Sequence, residues 1–167
     1  MSGYDLKQLS GWSVGHFWRE SYGQIYPTLR KMVANGFVNK ETETNRGRPD
    51  RYVYALTAAG RQELTAWLRK PPSAEVPRNE FLLKLFFGGL APASISAEHV
   101  AEHRVQSERE LATYKATRKR LEKEAANHPQ KPFWVMTLNY GEHMARAKGK
   151  WCDATLKELE DRKKKRN

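Results

Sequence analysis

A single cysteine, Cys152, occurs in the 167 residues. An intrachain disulfide and a cysteine-rich zinc site are therefore excluded, and a reducing compartment fits. Long apolar runs are missing as well. The densest, residues 81–90, is far shorter than the roughly 20 residues a helix needs to cross a bilayer. The first residues are polar and contain no apolar signal core, so an unexported, cytoplasmic protein is expected. No glycine-rich phosphate loop is present, and Ser21 lacks the surroundings of a nucleophile elbow. Acidic residues are scarce: 19 against 30 Lys and Arg leave a net charge of +11, which favours a polyanionic partner. Part of that excess sits in Lys163-Lys164-Lys165-Arg166, expected to be a disordered tail that adds nonspecific affinity. Binding to a membrane surface is the weaker reading, because the tail has no lipid-seeking apolar face beside it.

What is present is most concentrated in residues 21–60. Ser21 followed by Gln24 matches a capping box, so a helix is expected from about Tyr22. Ile25, Leu29, Met32 and Val33 recur at helical spacing, and Gly36 supplies a residue that lets the helix stop. Rotation of about 100° per residue then puts Gln24, Pro27 and Lys31, with Arg30 at the edge, on the side away from the core. Pro27 removes one ladder bond and predicts a slight bend. After Gly36, residues 37–44 and 51–56 alternate as two strands of a hairpin. The tip between them is rich in turn formers and carries Arg46 and Arg48, with Arg51 just beyond. Guanidinium forks at such a tip suit phosphate oxygens or a minor groove. Thr57 then caps a helix through Leu64, Trp67 and Leu68 that ends at Pro71-Pro72. Separately, a helix with outward lysines is usually just a solvated surface. In this order, a helix and a basic hairpin read as a DNA-recognition helix and its wing.

The second half is helical. Residues 78–87 are apolar nearly all round, so that helix is expected to be buried. Ser96 is expected to open a long helix reaching about Asn127, with Val100, Ser107, Leu111, Tyr114, Leu121 and Ala125 near coiled-coil spacing. It should pack on a final helix through Leu138, Met144, Trp151, Leu156 and Leu159, and across a two-fold axis. Phe133, Trp134, Tyr140 and Trp151 are candidates to line an aromatic ligand site, although aromatics at helical spacing more often form dimer core.

Several motifs in fixed order carry a family resemblance: Ser2-Gly3-Tyr4-Asp5-Leu6, Gly23-Gln24-Ile25-Tyr26-Pro27-Thr28-Leu29, Gly47-Arg48-Pro49, Tyr54, Leu56-Thr57, Gly60-Arg61 and the run Arg78-Asn79-Glu80-Phe81-Leu82-Leu83-Lys84-Leu85-Phe86-Phe87. The chain resembles the PadR family of bacterial transcriptional regulators over almost its whole length. The resemblance implies a mainly α fold with a small β-hairpin wing, namely a winged helix-turn-helix followed by a long-helix dimerisation domain. It also implies a homodimeric, cytoplasmic repressor on an inverted-repeat double-stranded DNA operator, released by a small aromatic or amphipathic effector. On this likeness residues 21–35 form the recognition helix and residues 46–51 the wing. The candidate DNA contacts are then Ser21, Tyr22, Gln24, Tyr26, Pro27, Arg30, Lys31, Arg46, Arg48 and Arg51. The expected organisation is a winged domain over residues 1–72, a helical dimerisation and effector domain over 73–162, and a basic tail over 163–167. One departure is that PadR-like chains ordinarily carry a helix before the Ser-Gly-Tyr motif, whereas Ser2 here follows Met1 directly. The alternative is a sensor or protein-interaction dimer whose shortened winged domain no longer binds operators.

His99, Glu102 and His103 match the pattern H-x-x-E-H of inverted zinc peptidases. Two histidines do not complete a catalytic zinc site, and no downstream segment supplies a partner motif. Neither catalytic residues nor a cofactor or metal is expected.

Overall fold

The computed structural model describes residues 1–12, 14, 17–18, 22–44, 51–74 and 77–166. The chain divides into two compact units, Met1–Glu75 and Val76–Asn167.

In the first unit, helix α1 (Gly3–Trp12) opens on a reciprocal cap. The Ser2 amide donates to the Asp5 carboxylate at 2.8 Å, and the Asp5 amide donates to Ser2 Oγ at 3.1 Å. Helix α2 (Tyr22–Ala34) buries Leu29 and half-buries Ile25, Met32 and Val33, as its periodicity requires. The capping box expected at its start involves Ser21, which lies outside the described residues. At its end Gly36 takes φ 70°, a left-handed conformation suited to glycine. The Gly36 and Phe37 amides then donate to the carbonyls of Val33 and Met32, closing the last turn. Strands β1 (Val38–Glu43) and β2 (Arg51–Leu56) pair antiparallel, with Val38 opposite Leu56 and Glu43 opposite Arg51. Met1 and Ser2 run along the outer edge of β2. Met1 and Tyr54 exchange backbone bonds, and Ser2 bridges Val53. Thr57 caps helix α3 (Ala58–Arg69) by accepting from the Gly60 amide at 3.0 Å, and its hydroxyl donates to the Gly36 carbonyl.

In the second unit, α4 (Glu80–Phe86) is capped by Asn79, whose side chain accepts from the Leu82 amide. A 3₁₀ turn (Gly88–Leu90) leads to α5 (Ala93–Glu124), which packs antiparallel on α6 (Lys131–Arg166). The seam is spaced by sevens: Val100, Ser107 and Leu121 on α5, and Leu138, Ala145 and Cys152 on α6, are buried. Ion pairs cross it at Arg104–Asp153, Lys148–Glu110 and Arg118–Glu142.

Several expectations are corrected by this structure. The apolar α4 is not buried within the chain, since a lone seven-residue helix beside one helical hairpin cannot cover all its sides. Ser96 does not open α5. Pro92 precedes the first turn, and Ser96 is buried inside the helix against Gly88. The helix stops at Glu124, where the Ala125 amide bonds back to Leu121, rather than at Asn127. Residues 163–166 continue α6 instead of forming a separate tail, in keeping with the good helix propensity of Lys and Arg. The seam of α6 also passes through Ala145 and Cys152, each one position beyond Met144 and Trp151, which remain partly exposed.

Candidate nucleic-acid interface

The basic face of the first unit is set by α2. Because Leu29 is buried, the helical period turns Gln24, Thr28, Arg30 and Lys31 to solvent. Pro27 is half-buried. Tyr26 is half-exposed but partly committed to packing, since a Cβ at Gly3 would lie 2.8 Å from its ring. The outer side of α2 therefore offers an amide, a hydroxyl and two cations in little more than two turns. An amide can donate and accept at a base edge, and cations suit phosphates.

The hairpin contributes a second set. Lys40 Nζ stands 3.4 Å from the centre of the Tyr52 ring, a cation–π pair between diagonal residues of the two strands. Arg51 Nε donates to Glu43 Oε2 at 2.5 Å, directly across the last described rung. This bond, with the charge of Glu43 and then of Asp5, raises the Arg51 pKa further above its ordinary value. The Asp5 carboxyl is held below its ordinary value chiefly by the Ser2 backbone N–H, then by the Ser2 hydroxyl. Arg46 and Arg48 lie outside the described residues, as does Ser21, and Tyr22 is described only as the first residue of α2. Sequence reasoning missed Lys40, Tyr52 and Glu43. The register that sets Tyr52 diagonal to Lys40 and Glu43 opposite Arg51 is a property of the folded hairpin that the sequence alone does not fix.

The four aromatic candidates do not form one cluster within the chain. Trp134 stacks on His128 with centroids 4.4 Å apart, and Trp151 meets Phe81 edge-on at 5.8 Å. Phe133 and Tyr140 are exposed. Trp151 lies seventeen positions along the helix from Trp134, about 25 Å at 1.5 Å per residue. Only Trp151 borders the open groove of about 1230 Å³ that runs between Phe86, Leu90 and Ser96 on one side and Leu159 and Arg162 on the other. In the H-x-x-E-H pattern, His103 is stacked on Phe81 at 4.3 Å. Among the described residues no group of three or more His, Cys, Asp or Glu side chains is placed to hold a metal ion, and no helix is long and apolar enough to cross a membrane.

Residues 1–66 match the family described as transcriptional regulator PadR-like, and residues 77–160 match the family described as virulence activator alpha C-term. A probable transcriptional regulator of Mycobacterium tuberculosis is 33% identical over 129 residues, covering 71% of this chain and 68% of that protein. The negative transcriptional regulator PadR of Bacillus subtilis is 38% identical over 88 residues, covering 52% and 48%. Among solved structures, Bacillus subtilis PadR in complex with operator DNA superposes with a TM-score of 0.81 at 24% identity, over 95% of this chain and 91% of that one. The same protein in complex with p-coumaric acid gives 0.74 at 24% identity, over 96% and 90%. At that identity the likeness demonstrates the shared winged-helix fold.

Proposed function

The chain belongs to the PadR-like family of transcriptional regulators, and from that premise we propose that it is a cytoplasmic repressor that binds an inverted-repeat DNA operator as a homodimer. The observation that carries this reading is the outer face of α2, where Gln24, Arg30 and Lys31 stand exposed while Leu29 anchors the opposite side. In this reading Gln24 reaches base edges, Arg30 and Lys31 anchor phosphates, and Arg46 and Arg48 hold the wing on the backbone or in the minor groove. The net charge of +11 favours the same polyanion.

Dimerisation is supported by the apolar surface of α4 and the turn after it. Leu82, Leu83, Phe86, Phe87 and Leu90 are 47–87% exposed in the single chain, and contiguous apolar surface of more than a few hundred Å² is unusual on a stable monomer. Covering it with a second copy would bring two recognition helices into one assembly, and a palindrome read in successive major grooves requires about 34 Å between them. A small aromatic effector is supported by the p-coumaric acid complex of Bacillus subtilis PadR. In this chain the groove beside Trp151 is a better candidate than a joint site of Phe133, Trp134, Tyr140 and Trp151.

The assignment of roles on α2 is tested by substitution. Gln24→Ala should relax sequence preference at one base position per half-site, and Lys31→Ala should weaken binding evenly across sequences. An unaltered preference profile for Gln24→Ala would overturn its role as a base reader.

A further inference from the structure

Sequence position groups Arg51 with the arginines of the hairpin tip, yet its surroundings are acidic. Glu43 faces it in register and takes its Nε–H at 2.5 Å. Asp5, in the first turn of α1, is near enough to act on the same guanidinium. Asp5 is itself tied down by the Ser2 amide, and Ser2 bridges Val53, two residues along β2 from Arg51. The start of α1, the end of β1 and the start of β2 thus converge on one guanidinium. A phosphate approaching it would meet the fields of two carboxylates, Glu43 and Asp5. The pair is about half exposed on each side, so its contribution to stability is small. Its place on the last described rung before the tip matters more. A restraint there holds the ends of β1 and β2 together.

We infer that Arg51 is a positioning residue for the wing, which ties the ends of β1 and β2 together through its bond to Glu43 and leaves phosphate contact to other cations. This rests on the DNA-binding reading above and deepens it. Arg51 and Glu43 act as one unit, so removing either has the consequence of removing both.

The test measures affinity against salt concentration for the full chain on duplex DNA from the region upstream of its own coding sequence. Arg51→Ala and Glu43→Gln should each weaken binding by about 2- to 5-fold with an unchanged salt slope, consistent with the energy of an exposed pair. The double variant should be no weaker than either single one, and the exchange Glu43→Arg with Arg51→Glu should restore most of the affinity. Thermal melting of each variant separates these effects from loss of folding, and the exchanged pair provides a second readout if one single variant melts early. A phosphate ligand behaves in the opposite way. Arg51→Ala would then lower the slope by about one, and Glu43→Gln would tighten binding by releasing the cation. That pattern, or variants indistinguishable from the parent, overturns the inference. If the unsubstituted chain shows no salt-dependent affinity for the duplex, the DNA-binding reading fails and this inference fails with it.

Discussion

Gly60 sits where α3 meets the hairpin, and its single hydrogen is what lets the two approach. A Cβ there would overlap the Phe37 carbonyl oxygen and come within 2.8 Å of Leu56 Cδ1. Gly60→Ala should therefore destabilise the first unit by about 2 kcal/mol, read as a lower denaturant midpoint. Gly89→Ala, where a Cβ would meet nothing within 4 Å, is the control. Equal midpoints for the two variants would contradict the packing argument. This constraint was not legible in the sequence, where a glycine in a first helical turn reads only as a weak helix former. Thr57 was legible, because a cap is a local pattern of a hydroxyl and an amide three residues on. The exposure of Gln24, Arg30 and Lys31 was legible for a similar reason, since one buried stripe fixes the opposite face. The partner of Arg51 was not, because strand register depends on a six-residue tip whose length does not dictate one pairing.

Helices α5 and α6 show the same division at the scale of elements. Coiled-coil spacing picked out Val100, Ser107, Leu111, Tyr114, Leu121 and Ala125, of which Val100, Ser107 and Leu121 are buried and the other three half-buried. On α6 the large residues Met144 and Trp151 were expected in the seam, whereas Ala145 and Cys152 occupy it. Apolar periodicity weighs size, while two helices in close contact select small side chains. Gly141 belongs to that selection: a Cβ there would overlap the Tyr114 ring. Gly141→Ala should cost about 1–3 kcal/mol in stability, and Tyr114→Leu in the same chain should recover part of it. If Gly141→Ala melts with the parent, the close approach is not a constraint. The pair Arg118–Glu142 lies beside this contact, with both side chains less than a third exposed. Arg118 also donates to Asn139 at 2.6 Å. Geometry of this kind adds register to the hairpin, which the charge pattern alone did not reveal.

For the whole molecule, the seven-residue α4 carries the clearest discrepancy between expectation and structure. Its apolar circumference demanded burial, and the single chain does not provide it. The homodimer reading makes a direct claim about that surface. Phe86→Glu, placed at a side chain that is 80% exposed in one chain, should convert a dimer to a monomer in sedimentation analysis without loss of helicity. A variant that sediments as the parent does would show that α4 is not covered by a second copy. The central claim concerns DNA, and one measurement reaches it most directly: a salt titration of binding to the promoter region upstream of the chain's own gene, beside a scrambled duplex of equal length. A preference for the promoter of about a thousandfold or more is expected of a specific regulator. Equal and steeply salt-dependent binding to both duplexes would contradict the account, leaving a basic surface without an operator.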